Sequence, residues 1–277
     1  MLTAAEPGTV AVVQAARLAH PGRDLVASHL TAARLHKLPK PLTGWGPPTF
    51  TSNRRPVVVR PDLHIHVAEL PDGAVIGSTV RLTGTARTVV DCLRSLEPRD
   101  GLAIADAALH RGLVTRQQLL GVAATQRRWP GVARARLLLQ LADGRRESPF
   151  ESWSAWAFEQ VGVPGPEWQV VVRDPDGRFI GRGDAWWAGV IGEADGKSKY
   201  RLAAAERGGA NPDSLFKVLD SERRRERNMR DVGIDVVRWG AVDVLDLVRA
   251  EALGRRIEVA CRRAAEMGPY IAVVSLR

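Results

Sequence analysis

The 277-residue chain carries 40 Lys and Arg against 31 Asp and Glu, a net charge of +9, and 45% of it is hydrophobic. That composition supports a folded core and argues against a disordered tail, while the basic excess favours polyanionic partners through counterion release. No apolar run reaches the roughly 20 residues that span a bilayer, and the opening MLTAAEPGTV lacks the basic-then-apolar order of a secretory leader. Cys92 and Cys261 supply neither a disulfide framework nor zinc spacing, so the expectation is a soluble, cytoplasmic protein without a membrane partner.

Along the chain, apolar periodicity predicts helices over 9–19 and 28–37, the second capped by Ser28. The stretch LPKPLTGWGPPTF reads as a loop. Short strands are expected at 57–60 and 64–68. The second puts His64 and His66 on one face, where a surface strand explains them better than a metal site, since no further ligand stands nearby. A helical run follows over 85–97, 101–111, 115–124 and 134–142. Cys92 is a buried thiol within it, Gly112 a stop signal, and the basic segment TQRRWPGVARAR leads into the last helix. Asp143-Gly144, followed by Arg145 and Arg146, marks the expected boundary between a mainly helical α/β domain with a few short strands (1–143) and a second domain (147–277).

The second domain is more regular. Ser148-Pro149-Phe150-Glu151 places a serine at the N-cap, proline at the first helical position and glutamate at the third. This capping box opens a helix that runs to Val161 and stops at Gly162. Three strands follow, over 168–173, 178–187 and 190–195, joined by the turns Asp174-Pro175-Asp176-Gly177 and Ala188-Gly189. Asn211-Pro212 opens a helix that reaches Asp231 and is stopped by Gly233. The run IDVVRW (234–239) is of the apolar kind buried on both sheet faces. The expected order is helix, three strands, helix, strand.

The strand pair 178–195 gathers charge in an apolar setting: Asp184 in one strand, then Glu193, Asp195 and Lys197 in and after the next. Residues two apart in a strand share a face, so the last three align if the strand continues, and the short turn lets Asp184 meet them. Crowded carboxylates repel unless a cation lies between them, and oxygen-only ligands select Mg2+ or Mn2+. A lysine beside them stabilises charge developing on phosphorus. The pattern points to phosphodiester hydrolysis, against the plainer alternative of solvated charges at a hairpin end. In the helix LDSERRRERNMRD, Arg223, Arg227 and Arg230 share a face, with i+3 and i+4 pairs available between Glu222 and Arg225 and between Glu226 and Arg230. These arginines and Arg238 are candidates for phosphate contact. Trp186 and Trp187 point to opposite faces, one for the core and the other free to pack or to stack on a base.

Five stretches in order carry a resemblance: ESPFES, RDPDGRFIGRGD, GEADGK, the Arg-rich helix and GIDVVRWGAVDV. Residues 147–245 resemble the PD-(D/E)XK nuclease superfamily, in particular an uncharacterised bacterial branch similar to very short patch repair endonucleases. The resemblance implies a mixed sheet with an αβββαβ restriction-endonuclease-like core and a metal-dependent DNA endonuclease or nickase acting in phage defence or repair. Asp184 would be the first metal ligand, Glu193 and Asp195 the acidic pair, and Lys197 the lysine of Asp195-Gly196-Lys197; which acid is the second ligand stays open. Glu151 has two readings, a carboxylate near the metal as in relatives or the capping box alone. Upstream, SHLTAARLHKLP, the strands with His64, TARTVVDCLR and ADAALHRGLVTRQQL resemble the region tied to AbiEi-family abortive-infection antitoxins. That likeness implies a toxin–antitoxin setting and a partner protein encoded nearby, with the winged helix of relatives expected to be missing. A catalytically weak DNA-binding antitoxin or regulator is the alternative function.

Overall fold

A computed structural model describes residues 7–71, 73–195 and 223–276. The chain is mixed α/β and divides into two units, Met1–Ser152 and Trp153–Arg277, each with its own sheet. Among the described residues no helix is long and apolar enough to cross a membrane.

The first unit opens with α1 (Pro7–Ala19) and a short 3-10 turn (Pro21–Arg23) before β1 (Val26–Ala27) and α2 (His29–Leu35). Next come β2 (Thr49–Ser52), β3 (Val58–Arg60), β4 (Leu63–Val67), β5 (Val75–Ile76) and β6 (Leu82–Thr83). Four helices follow: α3 (Thr85–Ser95), α4 (Pro98–His110), α5 (Arg116–Thr125) and α6 (Val132–Leu141). The six strands order as β3-β4-β2-β1-β6-β5, and Leu25, Phe50, Ile65 and Leu82 pack a core with α1 and α2. Three expectations change. Residues 49–52 form a fully buried strand that begins inside the stretch expected as a loop, at Thr49 and Phe50. β4 is an interior strand between β3 and β2, not a surface one. Ser28 holds the N-cap position of α2 without a side-chain cap, because its hydroxyl is engaged by the His29 ring and by Thr51.

Residues 143–146, expected as a break, are packed into this unit. Arg146 is buried against Asp106, Nε to Oδ2 2.7 Å, and Asp106 also accepts the Asp143 N–H at 2.8 Å. The helix α7 (Pro149–Val161) begins here and continues into the second unit.

In the second unit β7 (Glu167–Arg173), β8 (Phe179–Trp187) and β9 (Val190–Ala194) form an antiparallel meander. The turn after β7 is held by Asp174, which accepts the Arg178 N–H, with Gly177 at φ +82° as the turn requires. Residues 223–231 are helical (α8), and β10 (Asp235–Trp239) then pairs parallel with β9. Helices α9 (Ala241–Leu245) and α10 (Leu247–Met267) and the strand β11 (Val273–Leu276) follow; β11 pairs antiparallel with β7. The strand order β10-β9-β8-β7-β11 puts β10 at an edge, yet the run IDVVRW is covered on both faces, by α8 at Ile234 and Val236 and by α7 at Trp239. Asp235, Val236 and Arg238 stay half-buried.

Each sheet face has its own packing. Val170, Val172, Trp186 and Ile191 meet Met229 of α8 together with Val232 and Ile234. Elsewhere Phe158 of α7 sets its ring edge-on against both Trp187 and Trp239. The Trp239 indole N–H donates to Ser154 Oγ at 2.8 Å and that of Trp187 to the Pro164 carbonyl at 2.7 Å. Gly192 permits this packing, since a Cβ there would lie 2.7 Å from the Trp239 ring.

Candidate functional site

The β8–β9 ladder runs Trp187 to Val190, Trp186 to Ile191 and Ala185 to Gly192. The ladder stops there, so Asp184 and Glu193 both lie just past its last pair. One Asp184 oxygen, Oδ2, accepts the Ala194 N–H at 2.9 Å, a bond that fixes the carboxylate between the parting strands. Asp195 continues the pairing with β10 through its N–H to the Trp239 carbonyl, 2.9 Å, and is exposed.

Glu193 is the most heavily engaged of the acids. Its Oε2 accepts from Arg238 Nε at 2.6 Å, the residue beside it in the parallel ladder, and its Oε1 from Arg225 Nη2 of α8 at 2.5 Å. Arg225 also donates through Nη1 to the Arg182 carbonyl, 3.0 Å. On the far side, Arg238 Nη1 reaches Glu226 at 2.8 Å and Glu226 pairs with Arg230 at 2.7 Å. The result is an alternating chain, Arg225–Glu193–Arg238–Glu226–Arg230. Arg182 donates to Gln169, whose φ of +61° inside a strand is a conformation that residues with a Cβ rarely adopt. Irregular backbone therefore lies next to the charged end of the sheet, where such strain tends to gather at functional sites.

Among the described residues, no three His, Cys, Asp or Glu side chains converge as a metal-holding group. Asp184 and Glu193, both past the end of the β8–β9 ladder, offer an oxygen-only donor chemistry that suits Mg2+ or Mn2+. A cation there must win Glu193 from two guanidinium groups. Lys197 and Glu222 lie outside the described residues.

The remaining candidates fall as follows. Arg223 and Arg227 are exposed on α8, and Arg230 is exposed apart from its pair with Glu226. Glu151 is buried at the start of α7, where it accepts from the Ser148 hydroxyl at 2.7 Å and from the Glu147 N–H at 3.0 Å; the cap accounts for it. Trp186 and Trp187 are both buried, Trp186 edge-on to Tyr270, so neither is available to stack on a base. Arg225 was not singled out by its sequence context. Its signal was its place four residues before Met229, on the apolar face of a helix, where a charge needs a buried partner.

In the first unit, His66 does not project from a surface strand but stacks on His29, centroids 4.1 Å apart. His29 has φ +48° and its Nδ1 lies 3.0 Å from Ser28 Oγ. Burial pushes the His29 pKa down to about 3 and lowers that of His66. Close by in the electrostatics of both rings is the buried Asp91, bound by Arg87 at 2.7 Å and Arg94 at 2.9 Å. The two guanidinium groups also sit 4.7 and 4.9 Å from the Trp129 ring. Cys92 is fully buried, which raises its thiol pKa.

No family model matches the chain, and no solved structure matches it. Two uncharacterised proteins, from two strains of Mycobacterium tuberculosis, are each 36% identical to it over 104 residues. That stretch covers 38% of this chain and 38% of each relative's own length.

Proposed function

We propose that the unit Trp153–Arg277 hydrolyses phosphodiester bonds of DNA as a Mg2+- or Mn2+-dependent endonuclease or nickase, on a core of the PD-(D/E)XK kind. The observation that carries this reading is the Ala194 N–H bond to Asp184 just past the end of the β8–β9 ladder, which holds that carboxylate against the residue following Glu193, itself flanked by Arg225 and Arg238. The helix, three antiparallel strands, helix and parallel strand β10 support the core. Asp184, Glu193 and Asp195 would hold the cation only after Glu193 leaves its two arginines and the three acids draw together, and the cation would then supply Lewis acidity for in-line attack of water on phosphorus. Asp184 is oriented for this by the Ala194 N–H. Lys197 stabilises the charge that builds on the phosphate, and Arg223, Arg227, Arg230 and Arg238 contact the DNA backbone. Under the same reading the protein is cytoplasmic, and the AbiEi-like first unit positions DNA or a partner protein in a phage-defence setting.

Calorimetric titration of Mg2+ and Mn2+ into wild type and Asp184→Ala, with plasmid nicking assayed in parallel, tests the proposal. Metal binding and nicking are expected in the wild type and lost in the variant; robust cleavage by Asp184→Ala would sink it. A second reading, a DNA-binding regulator of a toxin–antitoxin system with little turnover, draws on the neutralisation of Glu193 by two arginines. It expects DNA affinity in the wild type with no metal binding and no nicking.

A further inference from the structure

Both oxygens of Glu193 are taken by guanidinium groups from different elements, Arg225 of α8 and Arg238 of β10. Neither arginine is a loose surface charge. The Arg225 stem lies over Gly181, where a Cβ would stand 2.9 Å from its Cδ, and its second nitrogen is held by the Arg182 carbonyl. Arg238 is steadied from the other side by Glu226. Two guanidinium groups fixed so that their N–H bonds converge on one carboxylate present the geometry that also receives two oxygens of a phosphate. The carboxylate between them is the same Glu193 that a cation would require.

We propose that Arg225 and Arg238 are a phosphate-binding pair held in reserve by Glu193, and that a DNA backbone phosphate takes the carboxylate's place between them. Transfer of Glu193 to a divalent cation frees the pair, so metal and DNA bind cooperatively; this coupling rests on the nuclease-like reading, whereas the exchange of carboxylate for phosphate does not. Each arginine alternates between an internal anion and an external one, and the site engages DNA most strongly only when the metal is in place.

The test is equilibrium fluorescence anisotropy of a labelled DNA duplex with the full chain, in EDTA, across a series of KCl concentrations. Glu193→Gln, which removes the internal competitor and keeps the side chain's shape, is expected to tighten DNA binding. It should also steepen the slope of log affinity against log salt by about 0.9 for each arginine released to phosphate. Adding Arg225→Gln to that variant should take back about 0.9 of the slope. Glu167→Gln, at an exposed position of β7, changes the net charge equally and is expected to leave the slope at its wild-type value. In Ca2+, wild-type affinity should rise while Glu193→Gln no longer responds. If Glu193→Gln fails to fold in thermal melts, Arg225→Gln in Ca2+ decides: its affinity must fall, and an unchanged affinity overturns the proposal. Equal behaviour of Glu193→Gln and Glu167→Gln overturns it too. Nicking with equal behaviour of those variants leaves the nuclease and removes the reserve pair. Tighter DNA binding by Glu193→Gln without metal binding or nicking keeps the exchange and removes the nuclease.

Discussion

His29 holds φ +48° while nearly buried, stacked on His66 and facing Asp91, Arg87 and Arg94 in its electrostatic surroundings. Burial keeps the ring neutral in the folded chain down to about pH 3, against an ordinary value of 6.5. Between those limits the unfolded chain binds the extra proton, so stability is fully present above 6.5 and falls as the pH drops toward 3. The slope is up to about 1.4 kcal/mol per pH unit for one such group, and His66, lowered by burial as well, acts in the same direction. His29→Asn, which tolerates the left-handed backbone, should lose less stability than wild type between pH 6 and pH 4 in urea unfolding; parallel curves would refute a neutral His29. A second position is set by crowding. Gly192→Ala would push a Cβ into the rigid Trp239 and Trp187 rings and should cost about 1–3 kcal/mol in urea unfolding, the penalty of overpacking.

The start of α7 shows how a local signal can settle a choice of roles. Serine, proline and glutamate at fixed offsets foretold a capped helix start: the Glu151 N–H reaches Ser148 Oγ at 3.3 Å, while the Glu151 carboxylate accepts from the Ser148 hydroxyl and the Glu147 N–H. Glu151→Ala should therefore cost about 1 kcal/mol of stability and leave plasmid nicking per folded molecule unchanged; a loss of nicking beyond the loss of folded protein would restore a metal-side role. The meander β7–β9 and the acids of its hairpin were legible because strand alternation and turn residues are local. The two-residue strands β1, β5 and β6 were not, since so short a run has no period, and β1 also takes both its partners from far away in sequence. The same limit hid the Arg225–Glu193–Arg238 chain: 32 residues separate the first pair and 45 the second. The i+4 pair of Glu226 with Arg230 was visible and is present. The Arg238 partner of Glu193 depended on β10 lying parallel to β9, and Arg225 on where α8 packs, neither of which a local pattern encodes.

For the chain as a whole, a net charge of +9 sets a background attraction for any polyanion. DNA binding by the wild type in EDTA should accordingly weaken steeply with salt, losing orders of magnitude between roughly 50 and 200 mM if several phosphates are engaged. Filter binding or anisotropy would measure this, and salt-insensitive binding would exclude the backbone as the target. The aromatic packing described above also gives each unit an optical signature of its own. Trp187 and Trp239 lie 6.3 Å apart at 64°, close and skewed enough for their transitions to couple and give a signed pair of bands in circular dichroism. Trp129, flanked by the guanidinium groups of Arg87 and Arg94, has an emission that depends on those two charges staying in place. Loss of the paired bands would report the second unit coming apart, and an emission change present in the wild type but absent from Trp129→Phe would report the first.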